Sequence, residues 1–218
     1  MKTLACFAAI LFALTASATT LTVAPRSTVF MNGSSNVARW RCSGSTLSGT
    51  MEVATPLEQI NHLIDRIEDG QIGEMLAHPD RATIPPPQFE LTIPVEALRC
   101  SGGRPMERDL VAALNAIQYP SIRIRFREVR GAVEHDMDAR TYRVTVATDI
   151  SLAGFTRAVD TIVTAERLSP ETFRITATVP LKMTEFGIQP PRALFGMIRA
   201  ADQLTVSLTL VLEARPHA

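Results

Sequence analysis

The chain has 218 residues, of which 46% are hydrophobic, and its 22 basic side chains balance 22 acidic ones, so that it has no formal net charge. This length and composition predict an ordinary globular protein with one substantial core. Without a net charge the chain has no long-range field that would attract nucleic acid or an anionic membrane, and we expect neither as a partner.

The N-terminal segment has the three parts of a secretory signal peptide, in the right order. Lys2 provides the positive charge, Leu4 to Leu14 form the apolar run, and Thr15-Ala16-Ser17-Ala18 supply small residues for cleavage. The apolar run is shorter than the roughly 20 residues that cross a membrane. We therefore expect residues 1–18 to be removed on export, leaving a soluble mature chain without a transmembrane segment. A buried N-terminal helix is the alternative.

Three short segments after the signal alternate between apolar and polar residues and predict antiparallel strands. Clusters of glycine, serine and asparagine separate them and favour turns. The segments are Leu21 to Phe30, Val37 to Cys42 and Leu47 to Val53, with turns at residues 32–35 and 43–44.

Two cysteines, Cys42 and Cys100, remain once the signal peptide and its Cys6 are removed. An even number in an exported chain indicates a disulfide. Two separate buried thiols are the alternative. A metal site is disfavoured, because neither cysteine has a Cys or His at ligand spacing.

Between Pro56 and Ala77, apolar residues recur at intervals of three and four, which predicts an amphipathic helix. Pro85-Pro86-Pro87 ends this segment before the next strand. We interpret residues 56–87 as a helical insertion. It either covers one end of the sheet or serves as a lid or as a docking helix for a partner.

A second helix is predicted from Pro105 to Ala116, and long strands dominate the rest of the chain. In the run Ile122 to Arg127, arginines alternate with apolar residues, so one face is expected in solvent and the other in the core. The strands are predicted at Phe89 to Val95, Ile122 to Val133, Tyr142 to Leu152, Thr156 to Arg167, Thr172 to Met183 and Leu204 to Leu212.

Strands of about ten residues suit an antiparallel barrel better than a sandwich. An outer-membrane barrel is disfavoured, because only Trp40, Tyr119 and Tyr142 could supply interfacial aromatic girdles. The expected fold class is therefore all-β with minor helices. A barrel of about eight strands has room inside for one small ligand.

The sequence contains no evident catalytic or metal-binding constellation. His62, His78, His135 and His217 have no second histidine at ligand spacing. His135 with Asp136 and Asp138 fits a polar hairpin turn better than a metal site. Nucleophile-elbow, zinc-protease and phosphate-loop motifs do not occur. We therefore expect no enzyme, no metal and no catalytic cofactor.

Three segments carry patterns that are more specific than those of the strands around them. They are Leu181-Lys182-Met183-Thr184-Glu185-Phe186-Gly187-Ile188-Gln189-Pro190-Pro191 with Gly196 and Asp202 after it, the helix Met106 to Leu114 with Tyr119-Pro120-Ser121-Ile122 and Phe126, and Gly33-Ser34-Ser35-Asn36-Val37 with Trp40. The chain is similar in these segments, from about residue 27 to the C-terminus, to the YceI-like family. The insertion at 56–87 and the cysteine pair depart from the family's usual pattern.

This resemblance implies a lipocalin-like, up-and-down antiparallel β-barrel of about eight strands with a capping helix, spanning residues 19–218. It also implies a periplasmic protein whose apolar pocket binds a hydrophobic small molecule, either an isoprenoid quinone or a prenyl phosphate. Arg104 or Arg108 is a candidate partner for a polar head group. The candidate pocket residues, each of which is also explained as plain core, are Trp40, Leu91, Ile124, Phe126, Val144, Phe173, Phe186 and Ile188.

Two function hypotheses follow. The first is a periplasmic binding or carrier protein for an isoprenoid lipid. The second is a ligand-free exported interaction module, in which the barrel is filled by its own side chains and the inserted helix docks a partner. The sequence leaves open whether the protein forms a homodimer.

Overall fold

The computed structural model describes residues 18–70 and 86–215. The predicted signal peptide up to residue 17 and residues 71–85 of the predicted insertion lie outside the described residues. The α-helices are α1 (Leu57–Glu68) and α2 (Gly103–Ala113), with 3-10 turns at Val95–Ala97, Met183–Phe186 and Leu194–Gly196. The strands are β1 (Thr19–Val23), β2 (Thr28–Ser35), β3 (Arg39–Gly44), β4 (Ser48–Val53), β5 (Gln88–Pro94), β6 (Arg99–Cys100), β7 (Ser121–Asp136), β8 (Thr141–Leu152), β9 (Phe155–Ser169), β10 (Thr172–Lys182), β11 (Arg192–Ala193) and β12 (Ile198–Ala214).

The sheet closes on itself into an eight-stranded antiparallel barrel. Its pairing order is β1, β4, β5, β7, β8, β9, β10 and β12, and β12 pairs in turn with β1. Neighbours in the ring follow each other along the chain, which is the up-and-down topology that the sequence predicts. Closure pairs both edges of every strand in this ring, and the arm of β2 and β3 that extends from β12 ends at β6.

Three neighbouring strands of the wall are each broken at one level. β1 and β2 are two halves of one strand, and the same holds for β3 with β4 and for β5 with β6, because each half pairs with the matching half beside it. At the first break the Val211 amide donates to the Ser27 hydroxyl at 2.9 Å instead of to a backbone carbonyl. A side-chain hydroxyl thus takes the place of the backbone carbonyl that an uninterrupted strand would offer to this amide.

The arginine row of β7 lies on the outside of the barrel. Arg125 pairs with Glu90 of β5, at 3.3 Å, and Arg127 and Arg130 pair with carboxylates of β8 and β9. A bulge between Phe126 and Glu128 then shifts the alternation by one residue. The orientation predicted from the alternating pattern is therefore confirmed.

The two helices lie at opposite ends of the barrel. α2 connects β6 to β7 at the end where β2 and β10 finish, which we call the α2 end. α1 connects β4 to β5 at the other end, the α1 end, where the Arg167 guanidinium pairs with Asp65 at 2.7 Å and with Glu68 at 3.1 Å. Asn61 also donates to the Pro170 carbonyl in the β9–β10 turn, at 2.9 Å. α1 thus covers one end of the sheet.

The structure tests parts of the first predicted helix and of the first predicted turn. α1 ends at Glu68, where Gly70 takes a left-handed φ of 72°, and the rest of the predicted helical segment, residues 71–77, lies outside the described residues. The predicted turn at 32–35 is wrong, since β2 continues to Ser35. Gly33 is part of this strand, and the Trp40 ring packs where a Cβ at Gly33 would lie. That glycine serves close packing and not a turn.

Candidate functional site

The interior of the barrel contains a cavity of about 860 Å³. This volume is near the upper end of the roughly 300–1,000 Å³ usual for small-molecule sites. Among the described residues, the charged side chains in its lining are Asp109, Lys182 and Arg192, and all three belong to the α2 end. The interaction-module hypothesis expects a barrel that is filled by its own side chains. The cavity contradicts that expectation.

Alternation along the long strands makes the wall apolar, and small residues keep the lumen open. On β8 the inward positions from Val144 to Leu152 line the cavity, and on β10 those from Ile175 to Leu181 do. Ala177 pairs with Val163, and Ala165 pairs with Ile175. Each cross-strand pair thus sets a methyl group beside a branched side chain, which leaves unfilled space in the lumen.

The α2 end is closed in part by α2 and by the segment after β10. Phe186, only 1% exposed, enters the core beneath Gly187, whose left-handed φ of 68° turns the chain. The Asp202 carboxylate holds this turn by accepting bonds from the Thr184 hydroxyl at 2.7 Å and the Thr184 amide at 2.9 Å. These hydrogen bonds lower the pKa of Asp202.

Six of the eight predicted pocket residues line the cavity: Trp40, Ile124, Phe126, Val144, Phe186 and Ile188. Leu91 does not, because it is fully buried in a packed cluster with Val29 and Leu210 at the level of the strand breaks. Phe173 lies two residues beyond Ile175, the last cavity residue of β10 at the α1 end. Contact of the six with a ligand stays a prediction.

Arg104 and Arg108, the candidates for a head group, are exposed on α2 and do not line the cavity. Lys182 and Arg192 do so instead. Sequence reasoning missed Lys182 because it follows the inward residue Leu181 at the very end of β10, and Arg192 because its position depends on how the segment after β10 folds back over the barrel end. The resemblance marked this segment but not which of its side chains point inward.

Thr161 also escaped prediction. It is 7% exposed and lines the cavity, and its hydroxyl has no hydrogen-bond partner among the described residues. The nearby Thr148 hydroxyl, in contrast, donates to the Val159 carbonyl at 3.2 Å. The alternation of β9 would have shown that Thr161 faces inward, but not that its hydroxyl is unpaired. Thr161 thus places a buried, unpaired hydroxyl within the apolar part of the described wall.

A polar cluster lies under α1 at the other end. Arg167, which is 18% exposed at its side chain, pairs with Asp65 and Glu68. Tyr142 stacks on His135 with ring centroids 4.6 Å apart. Burial, reinforced by the charge of Glu68, raises the pKa of Tyr142 to about 12. None of these side chains lines the cavity, and the described part of the chain has no group of residues arranged to hold a metal ion.

Cys42 and Cys100 form a disulfide between β3 and β6, where they are direct cross-strand partners with Cα atoms 4.0 Å apart. Cys42 is 1% exposed and contributes to the cavity wall. The bond therefore ties together two of the broken strands beside the lumen.

No helix in the described ranges is both long and apolar enough to cross a membrane.

Comparisons with known proteins agree on the fold. The family model described as YceI-like domain matches residues 30–212. A polyisoprenoid binding domain from Saccharophagus degradans, implicated in plant cell wall breakdown, is similar with a TM-score of 0.60 at 12% identity, over 90% of this chain and 98% of that one. BcnA of Burkholderia cenocepacia is similar with a TM-score of 0.54 at 17% identity, over 87% and 98%. No curated protein sequence matches the chain.

Proposed function

Because the chain belongs to the YceI-like family, we propose that it binds an isoprenoid lipid inside its barrel and carries it in the bacterial periplasm. The observation that carries this proposal is the apolar lumen of about 860 Å³, whose charged lining residues all belong to the α2 end. The similarity to a solved polyisoprenoid binding domain supports the same class of ligand. An isoprenoid quinone and a prenyl phosphate are the two candidate cargoes.

The distribution of polar groups suggests how such a molecule lies. Its isoprenoid tail runs along the lumen toward Val144 and Ala165, where burial stabilises it by roughly 25 cal/mol per Å² of apolar area. Its head group remains at the α2 end near Lys182 and Arg192. These cations suit a phosphate or a quinone carbonyl, while a charge placed deeper would be unpaired and costly.

Two features support the compartment. The N-terminal sequence has the pattern of a signal peptide, and β1 begins at Thr19, one residue after the expected cleavage site. The Cys42–Cys100 disulfide suits an oxidising environment outside the cytoplasm. We propose binding rather than catalysis, since the lumen residues that the structure describes offer burial and no nucleophile with a neighbouring base.

Trp40 offers a direct test, because it is the only tryptophan of the chain and it lines the cavity. Titration of the purified mature protein with a short-chain ubiquinone should quench its fluorescence saturably. Farnesyl phosphate, added as a competitor, should restore the fluorescence if both cargoes use the same lumen. Native mass spectrometry then gives the stoichiometry.

A lumen-blocking variant with a matched control makes the test specific. Ala177→Phe places a ring inside the lumen and should abolish saturable quenching. Ala158→Phe makes the same change on the outer face of β9 and should leave quenching intact. Equal quenching in the two variants would refute the proposal. A wild-type protein that binds neither ubiquinone nor farnesyl phosphate would also refute it.

A further inference from the structure

The hairpin of β11 and β12 ends in an apolar tip whose side chains are largely exposed. Leu194, Phe195 and Met197 are 60%, 107% and 66% exposed. Leu194 and Phe195 also take left-handed φ angles of 49° and 55°, a conformation that bulky side chains disfavour. Asparagine or glycine would fit this turn at less cost and would not expose apolar surface. Neither the exposure nor the backbone conformation is explained by packing within the molecule.

A fourth exposed apolar residue lies beside this tip, in the β2–β3 turn. Val37 is 64% exposed. The Asn36 side chain links the turn to the hairpin, because its amide donates to the Met197 carbonyl at 2.8 Å and its oxygen accepts from the Arg199 amide at 2.9 Å. We call the exposed side chains of Val37, Leu194, Phe195 and Met197 the mouth surface.

The mouth surface is continuous with the cavity. Val37 itself lines the cavity, as do Ala193 and Ile198, which flank the hairpin tip on its two strands. An apolar molecule that leaves the lumen at this point would therefore pass from Val37 and Ala193 onto the mouth surface. The exposed apolar patch thus borders the lumen.

The two chain segments that carry the mouth surface have positive charges only. Residues 34–41 and 189–199 contain Arg39, Arg41, Arg192 and Arg199 and no acidic residue. None of the four arginines forms an ion pair within the described part of the chain. Arg192 and Arg199 are even direct cross-strand partners, an arrangement of like charges that destabilises a hairpin. The zero net charge of the whole chain conceals this local excess.

We propose that the mouth surface docks on an anionic lipid bilayer, with Leu194, Phe195 and Met197 entering the interface and the arginines contacting lipid head groups. Apolar side chains ringed by unpaired cations match the layered chemistry of such a membrane. A second copy of the chain is a poorer occupant, because two such surfaces would bring like charges together. The choice of a bilayer rests on the proposed lipid cargo, which would enter and leave by this route.

Vesicle co-sedimentation of the mature protein tests the proposal without any isoprenoid. Wild type should bind vesicles of phosphatidylcholine with phosphatidylglycerol, and should bind less to phosphatidylcholine alone or at high salt. Phe195→Asp should lower the partition into anionic vesicles by at least about tenfold. Met137→Asp is the matched control, since Met137 is 62% exposed in the β7–β8 turn at the α1 end, and it should bind like wild type.

The outcomes separate this proposal from the proposed cargo. Phe195 does not line the cavity, so Phe195→Asp should still show quinone quenching of Trp40, which also reports an intact fold. If the wild type binds vesicles but shows no quenching by quinone, the proposed isoprenoid cargo is refuted and the proposed docking on membranes is supported. Equal vesicle binding by the two Asp variants would overturn the docking proposal, and so would a wild-type dimer that Phe195→Asp dissociates.

Discussion

The Thr161 hydroxyl is buried against an apolar lumen and has no partner among the described residues. Such a group costs roughly 1–3 kcal/mol when it stays unpaired, so a ligand oxygen that reaches it gains a hydrogen bond at little further expense. Thr161→Val keeps the shape and removes the hydroxyl. We expect unchanged or slightly higher stability and about five- to tenfold weaker ubiquinone binding, equal to roughly 1 kcal/mol.

Squalene, an isoprenoid without polar atoms, is the matched ligand for this test. Its binding, followed by competition for the Trp40 signal, should be the same in wild type and Thr161→Val. If the substitution weakens both ligands equally, or neither, then Thr161 contributes only to the wall of the lumen.

Ser27 illustrates a side chain that replaces part of the backbone ladder. It is fully buried, and its hydroxyl accepts from the Val211 amide at the break between β1 and β2. Ser27→Ala leaves that amide unpaired and should lower the free energy of unfolding by about 1–3 kcal/mol, measured by urea denaturation. Ser207→Ala, on the outer face of β12, should change it by less than about 0.5 kcal/mol. Equal effects would contradict this role of Ser27.

At the scale of elements, α1 is held to the barrel through the cluster of Arg167, Asp65 and Glu68, with Tyr142 beneath it. The raised pKa of Tyr142 has a consequence for alkaline stability. The folded protein keeps the phenol protonated up to about pH 12, whereas the unfolded chain ionises near pH 10. This contribution is therefore complete below about pH 10 and is lost as the pH rises toward about 12.

Tyr142→Phe keeps the ring that stacks on His135 and removes the titrating group. Wild type should lose thermal stability steeply between about pH 10 and 12, and the variant should lose less over the same window. Below about pH 9 the two should unfold at similar temperatures. If the melting temperatures of wild type and variant fall in parallel between about pH 10 and 12, then burial under α1 does not raise the pKa of Tyr142.

Elements with a clear period were predictable from the sequence, and their connections were less so. Strands β7 to β10 largely alternate, and three of the four predicted segments lie within the observed strands, while the fourth runs one residue beyond β10, because Met183 begins a 3-10 turn. Long-range packing decided one error, because Gly33 resembles a turn residue until Trp40 from the next strand lies against it. Gly70 ends α1 through a left-handed conformation that is local to the chain. Neither fact is encoded in the pattern of apolar residues.

For the molecule as a whole, Phe186 and Ile188 lie in the segment that the resemblance marked, whereas alternation identified which faces of the strands point inward and so found cavity residues such as Ile124, Phe126 and Val144. It did not reveal how much space they enclose, because that depends on small residues such as Ala165 and Ala177 meeting larger partners across the wall. The charge pattern of the mouth was hidden for a similar reason. Two segments far apart in sequence, 34–41 and 189–199, combine their arginines only after the barrel closes.

The disulfide is the main covalent constraint on this architecture. It closes a loop with a sequence separation of 58 residues, for which the chain-entropy model gives about 4 kcal/mol. The double variant Cys42→Ala with Cys100→Ala should therefore melt roughly 8–16 °C below the oxidised wild type in calorimetry. A melting temperature within about 2 °C of wild type would mean that the bond contributes little to the free energy of unfolding.

The breaks in β1/β2, β3/β4 and β5/β6 divide the barrel wall into two unequal arcs. Strands β7 to β10 and β12 are continuous over 11 to 17 residues, whereas the broken strands consist of pieces of 2 to 8. Amide hydrogens in the continuous arc should exchange with solvent deuterium only through large openings, and those of the broken arc through small local ones. We therefore expect the continuous arc to be rigid and the broken arc to be flexible. Cargoes of different width would be accommodated by movement of the broken arc alone.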